Sequence, residues 1–501
     1  MPRISDRIFR SVGRYAVTGA ALMLVACEPP AAEDGGERAA SATPAAGADA
    51  AMPEAHNMRL VGYDDLQGRA AYHPIPHRYG DRMIFFVGHH GGEQMNPMTG
   101  RVERNGMSVL DVTDPARPVY LKHLPPTGEE ANGTQHVQVC DGSALPAADP
   151  GKVYLLRTNG QLGTELLDVT DPAEPRFRMT INMTGKTPGG VRQTHKFQWD
   201  CESGMAYLNG TTEGWLAART LQLYDLGNPD EPVHVRDFAI DGWQPGSSGP
   251  DVSGLHQPVA FGNRVYLGYN PSSDGIIQVL DRDKLIHGDP DADDPFAPTH
   301  ENLLYPQIAR LDMPSYYGAH TTKPIYGVEI ADYADNAEHR TIDLLVVTSE
   351  ELDVQCRADR DLTFFVDITD ESHPFPISSF QVPEEPGDFC HRGARFGVHG
   401  LQDAYHAGFD KRLVLLSYFN AGVRAVDIRD PFSPREVGYF IPRTTDRTQS
   451  FCDDNGENCA VQIQTNNVNI DDRGYVYIVD RTGTGAHILE LTGEARQIVG
   501  L

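Results

Sequence analysis

Six histidines recur through this chain at long and similar intervals. His73, His136, His195, His256, His320 and His399 are separated by 63, 59, 61, 64 and 79 residues, and Asn467 follows after 68 more. Imidazole is the commonest transition-metal ligand, and an all-histidine set suits Cu, Fe or Zn better than Mg or Ca. Such spacing rules out a cluster built within one helix or loop. It implies one histidine per structural repeat, each carried to a shared axis by the fold. Six imidazoles exceed one ordinary coordination sphere, so three or four are expected on one ion, with the others on a second ion or against substrate. His89, His90 and Glu350, with Glu351 beside it, fall in loops expected at the same rim and are the candidate catalytic groups. The expected cofactor is a transition metal, and the expected partner a small-molecule substrate.

The repeats that must position these residues are visible directly. Leu110-Asp111-Val112-Thr113-Asp114-Pro115 returns as Leu167-Asp168-Val169-Thr170-Asp171-Pro172. Degenerate copies start at Leu223, Val366 and Val426. Each is a β-branched strand running into an Asp/Pro turn and a further short strand, because Asp caps such a turn by accepting from its own backbone and Pro fixes φ. Extending each copy backwards gives four strands per unit, with inner strands beginning near Tyr72, Gln135, Thr194, Leu255, Ala319, Val398 and Asn466. The fold class is therefore all-β, a seven-bladed β-propeller. Its last unit has three strands, and Met58–Tyr63 is expected to supply the fourth, closing the ring without an exposed edge. No helical periodicity is evident. Inner strands surround the axis, so the histidines should ring one mouth of the channel.

These copies resemble the LVIVD-repeat family of bacterial surface propellers over most of residues 57–495. That resemblance implies the fold and a surface-displayed binding or scaffold role. Methanethiol oxidases of the selenium-binding-protein family, nitrous oxide reductases and carotenoid-cleaving oxygenases are similar in plan, with metal-binding histidines on propellers. Their similarity implies an oxidoreductase, with metal-dependent hydrolase or lyase chemistry also open. The competing reading is structural. In WD-type propellers a repeated histidine bonds within its own blade, through a partner Asp and Trp that the corresponding loops here do not repeat.

The chain ends bound the setting. Arg3, Arg7, Arg10 and Arg14 precede an apolar run ending in Leu24-Val25-Ala26-Cys27, which reads as a lipoprotein signal over 1–26 with acylation of Cys27. Residues 27–56 read as a disordered Ala/Pro/acidic tether and 57–501 as the propeller. The implied location is the bacterial cell envelope, anchored by lipid, with the outer membrane favoured. The net charge of −28 becomes about −31 once the signal's four arginines and Asp6 are removed. That argues against nucleic-acid partners and against any membrane contact beyond the anchor. Six cysteines remain after Cys27. Blade position pairs Cys140 with Cys201, Cys356 with Cys390, and Cys452 with Cys459, although Cys390, next to His391, could instead be a metal-binding thiolate. Asp289, Asp291, Asp293 and Asp294, and Asp453–Glu457, are further candidates, for calcium, without complete EF-hand spacing. Tyr269, Tyr316, Tyr317 and Tyr418 are expected as rim wall. No phosphate loop, nucleophile elbow or Cys-x-x-Cys is present.

Overall fold

The Asp/Pro hexapeptides fold as paired side-chain-capped turns. In the first repeat Asp111 accepts from Thr113 N at 2.9 Å and Asp114 from Ala116 N at 3.1 Å. The second repeats this with Asp168 and Thr170 at 3.1 Å and Asp171 and Ala173 at 3.0 Å. The fifth and sixth do so through Asp367, Asp370, Asp427 and Asp430. Between the two turn-capping residues (Asp and Asp, or Asp225 and Asn228 in the third copy), Val112, Val169, Leu226, Ile368 and Ile428 are fully buried. The motif therefore sets a turn and drives an apolar plug between neighbouring sheets, at about 25 cal/mol for each Å² of apolar surface covered.

The structure is a computed structural model that describes residues 53–128, 133–269, 275–314, 316–330, 340–359 and 361–501. The signal and Cys27 lie outside the described residues. Seven four-stranded antiparallel blades follow one another along the chain. Blade one comprises Ala71–Tyr79, Arg82–His89, Met107–Asp111 and Val119–Leu124, and the blades after it repeat this meander. In blade seven the outer strand is Met58–Asp64, paired with Ala486–Leu491. The N-terminal strand thus closes the ring. The hydrophobic clusters lie between adjacent blades, which is where a propeller buries its apolar faces.

Three features depart from expectation. Glu54–His56, inside the stretch read as tether, adds a fifth strand to blade six by pairing with Arg435–Ile441. Short helices do occur, at Arg282–His287 and His300–Leu304 in the blade-four insertion and at Gly493–Val499. At five to seven residues they are too short to leave a periodic signal. Blades three and four are also joined by a parallel bridge, Ala217 to Val252 and Arg219 to Gly254.

The disulfides are Cys140–Cys201, Cys356–Cys390 and Cys452–Cys459, with Cα separations of 5.6, 5.4 and 4.0 Å. Cys390 is therefore not a free thiolate. Cys140–Cys201 ties blades two and three and closes a 61-residue separation. Replacing both by Ser should lower the unfolding free energy by about 2–4 kcal/mol, measured by denaturant unfolding. An unchanged midpoint would show that this staple contributes nothing.

Candidate functional site

The histidines occupy two tiers rather than one ring. The second strand of each blade provides the ruler, because its register with the Asp of the repeat is fixed, as in Ile84 opposite Asp111 and Arg264 opposite Asp281. On that ruler His73 opposes Gly88 and Gln257 opposes Gly268. A bulge leaves Tyr72 and His256 as the extra residue in their strands, and Asn466 likewise in blade seven. The upper tier, nearer the loops, is therefore Tyr72, Gln135, His195, His256, His320, His399 and Asn466. The lower tier is His73, His136, Lys196, Gln257, Thr321, Gly400 and Asn467. His73 and His136 sit one residue deeper than the other four histidines. This corrects the single column read from spacing alone: counted from the Asp of each repeat, the histidine of blades one and two falls one residue later in its strand than the histidine of blades three to six.

In the upper tier four imidazoles converge. His195 Nε2 lies 2.9 Å from His256 Nε2. The His256 and His320 ring centroids are 3.6 Å apart, and those of His320 and His399 are 4.6 Å apart. Tyr72 Oη lies 3.1 Å from His195 Nε2 and 3.4 Å from His399 Nε2. Glu350, in the loop after the second strand of blade five, places its carboxylate 3.5 Å from both His320 Nε2 and His399 Nε2. His256, His320 and Glu350 offer ligand atoms that all lie within 4.8 Å of one another. The rings of His256, His320 and His399 are buried.

The far nitrogen of each ring fixes what the near one can do. His256 Nδ1 donates to the carbonyl of His320 at 2.5 Å, and His399 Nδ1 to that of Asn466 at 2.5 Å. His195 Nδ1 donates to Gln135 Oε1 at 2.5 Å, and His320 Nδ1 lies 3.0 Å from Thr321 Oγ1. Carbonyl oxygens only accept, so the Nδ1 atoms of His195, His256 and His399 carry the proton and their Nε2 atoms present lone pairs inward; the Thr321 hydroxyl beside His320 Nδ1 can donate or accept and fixes no tautomer there. Two lone pairs 2.9 Å apart repel unless a cation lies against them. Burial holds all four rings well below the ordinary imidazole pKa, so protons do not supply that cation. His320 Nε2 is buried without a hydrogen-bond partner. The donor set thus fits a transition-metal ion, with each ligand ring oriented from behind by an acceptor.

The lower tier is a separate polar plug. His73 Nε2 bonds Asp403 Oδ2 at 2.5 Å, and Gln257 Nε2 donates to Asp403 Oδ1 at 3.1 Å, so Asp403 reaches residues of blades one and four. His136 stacks on His73 at 4.0 Å between centroids. His73, His136 and Asp403 form a second group with metal-ligating geometry. Lys196 extends from this tier to 5.3 Å from the Tyr72 ring, and burial pulls its ammonium down to about 8.

The candidate catalytic groups divide. Glu350 is at the site. His90 packs edge-on to Tyr72 at 4.7 Å and lies 3.3 Å from Gln135 Nε2, so it borders the upper tier. His89 turns into its own blade, with Nε2 2.7 Å from Ser108 Oγ, and packs beside His123; it is structural. Glu351 faces away from the histidines and accepts from Asp353 N, with burial raising its carboxyl to about 7. In the acidic loops, Asp289 and Asp294 cap local turns, and Asp453 is taken by Arg357 and Asn458. Neither loop gathers converging ligand atoms among the described residues. Tyr269 donates to Gln278, and the Tyr418 hydroxyl accepts from Val382 N, so both are wall.

Residues missed in the sequence include Tyr72, Gln135, Asn209, Arg219, Arg395, Asp403 and Arg481. Asn209 accepts from His195 N at 2.7 Å and donates to the His256 carbonyl at 2.8 Å, tying two ligand strands together. Counting from the Asp of each repeat, rather than from the nearest histidine, would have placed Tyr72 and Gln135 in the column.

No known family profile matches the sequence, and no curated protein matches it. Solved structures similar to it include Chaetomium thermophilum Raptor at 13% identity and TM-score 0.48, covering 88% of this chain but 30% of that one. The β-propeller domain of Myceliophteria thermophila Cps50 (Swd1) is similar at 10% identity and TM-score 0.45, covering 88% of this chain and 100% of that one. Saccharomyces cerevisiae Sqt1 follows at 8% identity and TM-score 0.45, covering 86% and 98%. None of these likenesses bears on the site.

Proposed function

We propose that the protein is an exported, lipid-anchored metalloenzyme that carries out a redox reaction on a small molecule at a four-histidine centre. His195, His256, His320 and His399 would hold the ion, the Glu350 carboxylate beside His320 Nε2 and His399 Nε2 would be a further ligand, and Tyr72 would donate its hydroxyl proton to whichever acceptor faces it. Burial pushes the Tyr72 phenol far up, so it acts as a hydrogen-bond donor and not as an anion. The observation that carries the reading is the pair of inward lone pairs, His195 Nε2 and His256 Nε2, 2.9 Å apart with both Nδ1 atoms committed elsewhere.

The ligand count favours a redox metal. Zinc is usually four-coordinate, so four imidazoles would leave it no open position, whereas Fe and Cu sites can keep positions free for substrate or oxygen. A bound Fe or Cu would supply one-electron chemistry. The chain's own groups bind, orient and exclude water. Membership of the LVIVD-type surface propellers and similarity to metal-carrying propellers belong to the same proposal, as does the outer-membrane location implied by Leu24–Cys27.

Elemental analysis of protein purified from the periplasm tests the reading. About one Cu or Fe per chain is expected, with oxidation of a small-molecule panel lost on chelation. Metal-free protein that cannot be loaded and that still binds a macromolecular partner would replace the enzyme with a scaffold.

A further inference from the structure

Above the upper tier the charges do not balance. Arg395 enters from the loop before the first strand of blade six, and Arg481 from the loop after the second strand of blade seven. Arg219 comes from blade three, where the bridge to Gly254 holds its strand against blade four. Glu350 lies 3.7 Å from Arg395 and 3.9 Å from Arg481, both beyond hydrogen-bonding distance. Among the described residues Arg219 reaches no carboxylate; its Nε donates to the Ser253 carbonyl at 3.3 Å.

Two of the other acids nearby are occupied, and burial, with Glu351 and Glu350 beside it, pushes the third, Asp361, up to about 9. Asp480 accepts from Gln464 N, Thr482 N and Thr484 N, and Glu351 takes Asp353 N. Arg395 and Arg481 are 12% and 13% exposed, and both guanidinium groups sit over Phe419 (5.7 and 5.5 Å) and Phe451 (5.2 and 5.9 Å). Arg395 Nε and Arg481 Nη1 are shielded from solvent and have no hydrogen-bond partner. The backbone that delivers Arg395 is held unfavourably, since Ala394 has φ of 56° although it is not glycine. Like charges gathered in a half-buried mouth are costly unless an anion joins them, and the planar guanidinium fork matches an oxyanion.

We propose that Arg219, Arg395 and Arg481 form an anion-recognition mouth over the four histidines, admitting a small molecule that carries a carboxylate or sulfonate. As a statement about substrate this rests on the metalloenzyme reading; as a statement about binding it does not. In a chain of net charge −28, the mouth is a local positive focus that would draw such an anion from solution.

Calorimetric titration of the mature protein, as purified and after chelation, with acetate, methanesulfonate and the neutral isostere acetamide at matched chloride concentration tests this. Acetate and methanesulfonate should bind in both preparations and acetamide at least tenfold more weakly. Arg481→Met and Arg395→Met should each weaken acetate about tenfold or more without changing metal content, and Arg481→Lys, which keeps charge but loses the fork, should fall between. Equal binding of acetate and acetamide, or acetate binding unaltered in all three variants, would overturn the mouth. Metal present without anion discrimination removes this proposal alone. Arginine-dependent acetate binding to a protein that takes no metal removes the metalloenzyme reading alone.

Discussion

His256→Asn should reduce metal occupancy from about one ion per chain to below a tenth of that, while His89→Asn leaves occupancy unchanged. The two positions are equally buried histidines, so burial does not separate them. Their partners do. His256 is held from behind by the His320 carbonyl and faces His195 Nε2 at 2.9 Å, whereas His89 faces Ser108 Oγ inside blade one. Loss of a group that only supports a ligand costs 10–100-fold in metal affinity, and loss of a ligand should cost more. His136→Asn is a sharper comparison, since His136 is one of the six recurrent histidines but lies in the lower tier. It should keep the upper ion. Occupancy measured on folded, monodisperse protein decides the matter, and equal losses in all three variants would mean that the tiers do not differ.

Acid should destabilise this protein steeply between pH 7 and pH 5. Ten imidazoles, His73, His89, His90, His123, His136, His195, His256, His320, His399 and His487, are held below the ordinary value chiefly by burial. His123 falls to about 4 and His487 to about 3. A histidine depressed in the folded state takes its proton only on unfolding. Its contribution is complete above the unfolded value near 6.5 and is lost as pH falls through it.

Buried carboxyls work the other way. Asp64, Glu351 and Asp361 are raised to about 6, 7 and 9, so they favour the folded state as pH falls. Burial also raises Glu436 and Asp480, and ten imidazoles against five carboxyls leaves the histidines dominant. The unfolding free energy should drop by on the order of 5 kcal/mol over this interval. Denaturant midpoints across pH check it; a flat or rising profile toward pH 5 would contradict the burial of neutral rings.

The propeller was legible because its defining motif is local. Asp111, Asp114, Asp168 and Asp171 cap turns two residues ahead of themselves, so sequence and structure coincide at those positions. Closure by Met58–Asp64 was legible for the same reason, as a strand pattern without a blade of its own. The site was legible only in part. The eye follows histidines, but the fold counts hydrogen-bonded pairs from the Asp of each repeat, and on that count Tyr72, not His73, stands level with His256. His73 therefore passed for the partner of His195 when Tyr72 holds that place. Arg395 and Arg481 stand outside any repeat, on connections of unequal length, and only the closed ring brings them beside Glu350; Arg219 lies in a repeat strand, Ala217–Asp225, but carries no signal of its own. Glu350 could be named from its loop; its neighbours could not.

The most direct test of the central claim is X-ray absorption at the metal edge of the purified, metal-loaded protein. The account predicts about four imidazole nitrogens bound to the metal, a number that falls in His256→Asn or His320→Asn but not in His136→Asn. A shell made of oxygen alone, or one unaltered by both upper-tier substitutions, would contradict it.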